Sequence, residues 1–146
     1  MKKMPDISMM GNLNIVCVIP ARGVSKRLHR KNLYPFRGKP LLQWVIEGCL
    51  ESKYLHRKNI YVSTEDLEIT EIARQLHINT IPRPAQLSED HVWTQEVLEH
   101  ADEYFSLHSI EYNLMVRVQA NSPQIRGSTI DVCIDKLTKY KLWEVF

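Results

Sequence analysis

The chain is short of the features that mark membrane, secreted and metal-built proteins. Its apolar runs stop well before the roughly 20 residues a membrane-spanning helix needs, so no segment reads as transmembrane. Cysteine occurs three times, at Cys17, Cys49 and Cys133, far apart and without a Cys-x-x-Cys pair. That excludes a disulfide framework and predicts buried free thiols in a reducing, cytoplasmic setting. None of the five glycines falls in a G-x-x-x-x-G-K-[ST] run, which excludes a Walker A loop. The six histidines show no His-Glu-x-x-His spacing, so no zinc centre is expected. Residues 1–13 hold two lysines but neither a continuous apolar core nor a small-residue cleavage site, and are expected to be a loose leader rather than a signal peptide.

The most telling scarcity is local. Between Arg22 and Lys39 there is no Asp or Glu, yet seven of the 19 basic residues fall there: Arg22, Lys26, Arg27, Arg30, Lys31, Arg37 and Lys39. The net charge of +2 therefore hides a basic loop set against a net acidic remainder. This loop follows directly on Asn14–Ile19, apolar from Ile15 onward and closed by Pro20, the pattern of a central strand covered on both faces. Ligands of open α/β sheets sit at the carboxyl ends of strands, so a cationic loop placed there points to a phosphorylated small molecule. Arg22 offers a guanidinium fork, Lys26 and Lys31 add charge, Ser25 offers a hydroxyl, and Gly23 is expected to supply the positive φ of a phosphate-cradling nest. On charge alone a nucleic-acid patch competes with this reading. Against it stand the few interleaved aromatics, only Tyr34 and Phe36, and the acidic remainder.

Beyond the loop, strand and helix patterns alternate. Apolar residues from Leu41 to Leu50 repeat at helical spacing, Lys58–Ser63 is a short strand, and Thr64 stands as a cap before a helix with Ile69, Ile72, Ala73 and Leu76 inward. Asn79–Ile81 is a third strand. A helix from Thr94 buries Val97, Leu98, Ala101 and Phe105, and Leu114–Val118 is a fourth strand. Ser128 or Thr129 is expected to cap a last helix with Ile130, Cys133, Ile134 and Leu137 inward, and Leu142–Phe146 begins one more strand. The fold class is α/β, a mainly parallel sheet flanked by helices with right-handed crossovers. Trp44, Trp93 and Trp143 read as packing residues, Trp93 lying near the expected cleft. A final strand with no turn or helix after it predicts a domain, residues 14–146, that is incomplete at its C-terminus.

Four ordered blocks carry a resemblance. Pro20-Ala21-Arg22-x-x-Ser25-Lys26 with Lys31-Asn32-Leu33 and Gly38-Lys39-Pro40-Leu41 comes first, then Val62-Ser63-Thr64-Glu65-Asp66. Arg83-Pro84-Ala85-Gln86-Leu87 with Ser88-Glu89-Asp90, and Val118-Gln119-Ala120-Asn121-Ser122-Pro123, complete the set. Together they resemble the acylneuraminate (CMP–sialic acid synthetase-like) cytidylyltransferases over about Ile15–Lys136. The sequence departs from that pattern at Val24, Arg27 and His29, and carries one extra residue between Ser122 and Arg126.

The resemblance implies a Rossmann-like nucleotide-diphosphosugar-transferase fold. It implies that Arg22, Ser25, Lys26, Lys31 and Asn32 hold the triphosphate and ribose of CTP, with Arg22 and Lys31 as the catalytic cations. Arg83, with the backbone near Asp90, would read the cytosine, and Thr94 stands at a serine position of the family's nucleotide site. Gln119, Ser122 and Arg126 would face an acidic nine-carbon (sialic-acid-like) sugar, and an eight-carbon ulosonic acid is the related alternative. The Ser25-Lys26 and Lys31-Asn32 form of the loop favours the nine-carbon class. A nucleotide-binding remnant without turnover is a further alternative, and a nucleic-acid module is less favoured. The resemblance also implies Mg2+, with ligands expected beyond residue 146, and a homodimer for a full-length protein.

Overall fold

The apolar run after Asn14 becomes the centre of a parallel sheet. The computed structural model describes residues 13–142 and residue 144. In chain order it contains β1 (Ile15–Pro20), a two-strand hairpin of β2 (Pro35–Phe36) and β3 (Lys39–Pro40), and α1 (Leu41–Leu50). There follow β4 (Ile60–Thr64), α2 (Leu67–Gln75), β5 (Asn79–Pro82), α3 (Thr94–Leu107), β6 (Leu114–Arg117) and α4 (Gly127–Tyr140). The main sheet has the order β5-β4-β1-β6, with every pair parallel and Cys17 flanked by Ile60 on one side and Val116 on the other.

Alternating side chains of β1 face two different cores, which explains why no polar residue interrupts it. Ile15, Cys17 and Ile19 pack with α1, α2 and α4 through Leu42, Ile46, Ile69, Ile130 and Ile134. Val16 and Val18 turn the other way, onto Ala101 and Phe105 of α3. The steps from β1 to β4 to β5 run in one direction along the sheet, and the step from β5 to β6 returns past β1. Right-handed crossovers then place α1 and α2 on one face and α3 on the other, as observed. The order reverses between β1 and β6, and that reversal opens a crevice at their carboxyl ends.

Four expectations need correction. Thr64 does not cap α2; it is the buried last residue of β4, and Asp66 caps the helix by accepting from the amides of Glu68 (2.9 Å) and Ile69 (3.0 Å). Neither Ser128 nor Thr129 caps α4, which starts at Gly127, with Arg126 in the cap position making no side-chain cap bond. Gly127 lies so close to the Glu51–Ser52 backbone that a Cβ there would collide with it. Cys17 and Cys49 are buried free thiols, but Cys133 is only half-buried. Trp93 is 77% exposed rather than packed. The strand expected at Leu142–Phe146 falls largely outside the described residues, as do Trp143 and the leader up to residue 12; Leu142 and Glu144 are not in a strand. Among the described residues no helix is long and apolar enough to cross a membrane.

Candidate functional site

The crevice is built on the end of β4. The Ala21 amide donates to the Ser63 carbonyl and the Arg83 amide to the Thr64 carbonyl, both at 2.9 Å. These bonds carry the loops after β1 and β5 to the same place, so Arg22 and Arg83 converge although 61 residues separate them. The basic loop is then closed on itself. Asn32, 6% exposed, donates its Nδ2 to the Arg22 carbonyl at 2.9 Å, and Arg30 enters a short 3-10 turn (Lys31–Leu33) in the left-handed region, φ 51°. The Arg30 guanidinium lies 3.0 and 3.1 Å from the Asp66 carboxylate oxygens.

Gly23 does not serve as expected. Among the described glycines only Gly38 has positive φ, so the nest argument fails at Gly23. Its requirement is space: a Cβ there would run into the Asp66 carboxylate. The Gly23 amide donates to Glu65 Oε1 at 2.7 Å.

Glu65 is the hub of this region. Its Oε2 accepts from the Ser88 hydroxyl at 2.7 Å and from Arg83 Nη2 at 3.3 Å. Burial alone would raise the Glu65 pKa, but the Ser88 hydroxyl, the Gly23 amide and Arg83 together bring it below the usual carboxylate value. Burial lowers the Arg83 pKa, against the opposing pull of Glu65. Arg83 is 7% exposed, and its Nε has no partner. The Oδ1 of Asn32 is likewise buried and without one.

Between these loops lies an open cavity of about 350 Å³. Its wall includes Arg22, Ser25, Lys31 and Asn32 from the first loop, Arg83, Asp90 and Thr94 from the segment after β5, and Gln119 from the segment after β6. Eight of the eleven expected site residues thus share one wall. Lys26 is on the rim, 74% exposed, with its Nζ 2.9 Å from Asp90. The other Asp90 oxygen lies 2.9 Å from Arg22 Nη1. Lys26 and then Arg22 hold the Asp90 carboxyl below its usual pKa. Ser122 and Arg126 are not on the wall: the Ser122 amide closes a turn onto the Gln119 carbonyl, and Arg126 is exposed at the start of α4. Sequence reasoning missed Arg117 and Asn121, which line the wall, and the role of Glu65. The signal for Glu65 was an acid just past a strand end opposite a loop holding only cations.

The acids on the wall are Glu89 and Asp90. Glu89 lies 3.5 Å from His91, Asp90 is shared by Arg22 and Lys26, and among the described residues no group of three His, Cys, Asp or Glu could hold an ion. What the wall offers is a set of cationic donors, Arg22, Lys31, Arg83 and Arg117, with the polar side chains of Asn32, Thr94 and Gln119 among them, a set suited to a polyanion bearing a hydrogen-bonding ring.

Comparison with known proteins follows the same line. Residues 16–142 match the profile of a family described as cytidylyltransferase. Over 122 residues the chain is 31% identical to a pseudaminic acid cytidylyltransferase of Campylobacter jejuni, a match covering 83% of this chain and 52% of that protein. It is 33% identical over 122 residues to a 3-deoxy-manno-octulosonate cytidylyltransferase of Synechococcus elongatus, covering 84% and 46%. A solved structure of CMP:2-keto-3-deoxy-manno-octonic acid synthetase complexed with CTP superposes with a TM-score of 0.70 at 25% identity, covering 86% of this chain and 48% of that one. The chain spans about half the length of the curated relatives it matches.

Proposed function

The chain belongs to the cytidylyltransferase family, and from that premise we propose that the cavity binds CTP for transfer of CMP to an acidic sugar of the nonulosonic class. The observation that carries this reading is the convergence of Arg22, Lys31, Asn32 and Arg83 on one wall, with Arg83 Nε and Asn32 Oδ1 buried and unpartnered there. Arg22 and Lys31, with Lys26 from the rim, meet the triphosphate; Arg83, held by Glu65, and Thr94 serve the nucleoside. Gln119, across the switch point, faces the incoming sugar, with Asn121 beside it in place of the more distant Ser122 and Arg126.

In the reaction the anomeric hydroxyl oxygen of the sugar attacks the α-phosphorus of CTP. The bond from that phosphorus to the bridging oxygen breaks, the hydroxyl proton passes to solvent, and pyrophosphate leaves. Such transfers depend on positioning and on cations at the oxygens where charge develops. Magnesium would supply further positive charge to the triphosphate and is normally held by one or two protein carboxylates together with the phosphates. No step is assigned to it, and the protein's own share of charge neutralisation rests on Arg22, Lys26 and Lys31. The buried thiols of Cys17 and Cys49 support a reducing, cytoplasmic setting for this chemistry.

The test is calorimetric titration with CTP, UTP and ATP, followed by pyrophosphate release from CTP with pseudaminic, sialic and eight-carbon ulosonic acids as acceptors. Saturable one-to-one binding with preference for CTP is expected. Absence of CTP binding rejects the reading, and binding without release from any acceptor reduces it to a nucleotide site.

A further inference from the structure

One side chain touches both loops that carry the cations of the cavity, the one after β1 and the one after β5. Glu65 Oε1 accepts from the Gly23 amide (2.7 Å), and its Oε2 accepts from both Ser88 Oγ (2.7 Å) and Arg83 Nη2 (3.3 Å). Its neighbour Asp66 takes Arg30 at the far end of the same basic loop. The adjacent acids beyond β4 therefore hook the loop near its start and near its end. Simple neutralisation of Arg83 would leave Oε1 to water; here that oxygen is committed to a backbone amide next to Arg22.

We propose that Glu65 is a positioning residue, fixing the Gly23 backbone and the Arg83 guanidinium in one frame so that the phosphate-facing and nucleoside-facing sides of the cavity are set before nucleotide enters. This rests on the CTP reading given above. It goes further by assigning to Glu65, which need not touch the nucleotide, a share of the affinity. A carboxylate is required because three donors converge on two oxygens. Glu65→Gln keeps the size but turns one oxygen into an N–H donor, which must then face either Gly23 or the Ser88–Arg83 pair.

The experiment compares the 146-residue chain with Glu65→Gln and Ser88→Ala by circular dichroism, thermal midpoint, CTP calorimetry and the amide NMR signal of Gly23. Glu65→Gln is expected to remain folded, shift the Gly23 amide, and weaken CTP about tenfold or more. Ser88→Ala, which removes one donor and leaves the carboxylate, is expected to weaken CTP about two- to tenfold. A merely structural residue would lower the midpoint while the folded protein kept its CTP affinity, and that result overturns the proposal. Should Glu65→Gln fail to fold, Ser88→Ala decides, and unchanged CTP affinity there overturns it equally. If the unmodified chain binds no CTP, the nucleotide reading itself falls and takes this assignment with it; binding by the unmodified chain and both variants alike removes only Glu65.

Discussion

At Arg22 the main chain and side chain have separate tasks. Asn32 holds the carbonyl, leaving the guanidinium to reach Asp90 at 2.9 Å and the Ser88 carbonyl at 3.3 Å. The Asp90 carboxylate pairs with both Arg22 and Lys26, and Asp90 and Lys26 are well exposed. Water screens such a pair, so a triphosphate with several charges can displace it. Arg22→Ala and Lys31→Ala are each expected to weaken CTP by about 1.5–3 kcal/mol, roughly ten- to over a hundredfold, the usual loss for a charge-assisted contact. Calorimetry giving both variants the CTP affinity of the unmodified chain would remove them from the site. Residue types near a strand end made these two cations legible. Gly23 shows the limit: sequence marks a glycine as needed but does not say whether dihedral freedom or space is the reason, since the Asp66 side chain that demands the space lies 43 positions away.

Elements were legible where a buried stripe sets the period. Strands β1 and β4 and the inner faces of α1 and α3 follow from the spacing of apolar residues. Their ends were not, because caps depend on partners distant in sequence. Thr64 and Asp66 are both good capping residues, and the choice between them is made by Arg83, whose amide bonds the Thr64 carbonyl and keeps Thr64 in the sheet. One turn inside α2, Glu71 accepts from Arg74 Nε and Nη2, each at 2.7 Å, and from Gln75 at 2.9 Å. Arg74 first, then Gln75, brings the Glu71 pKa from 4.5 to about 2. A carboxyl whose pKa is depressed on folding stabilises the fold above its unfolded pKa and loses that contribution as pH falls through the folded value. The stability difference between the unmodified chain and Glu71→Gln is therefore expected to be constant above pH 4.5 and to close between about 4.5 and 2. The site is on the surface, so the difference should be small and shrink with added salt. Urea unfolding at a series of pH values checks this; a difference that grows on acidification contradicts it.

On the scale of the whole molecule, the site exists because the sheet order reverses beside β1, bringing Arg22, Arg83 and Gln119 to one wall from loops spread over nearly 100 residues. Local patterns carry no strand order, so periodicity alone could not assemble that wall; the ordered motif blocks linked the three loops and included Glu65, but its contacts exist only in the folded crevice and so gave it no task in the sequence. The same arrangement separates charge, with a run of cations after β1 in a chain otherwise net acidic. A long nucleic acid would have to extend past that basic loop over a remainder that carries 12 basic and 17 acidic residues, 19 less seven against 17, whereas a nucleotide needs only the cavity. Both bind less tightly as salt rises, because the screening length falls from about 10 Å at 0.1 M to about 3 Å at 1 M. They differ in how the dependence scales. For CTP, at most Arg22, Lys26 and Lys31 exchange their counterions, so the salt slope stays shallow and one ligand saturates the chain. For single-stranded RNA the slope would steepen with each phosphate contacted, by about 0.7 per contact, and affinity would rise with oligomer length. Titrations of CTP and of RNA oligomers of increasing length, from about 0.05 to 0.5 M salt, a range over which screening changes severalfold, separate the two. Tight one-to-one CTP binding with weak, length-independent RNA binding is expected, and RNA affinity that overtakes CTP and grows with length would place the function of the basic loop on nucleic acid instead.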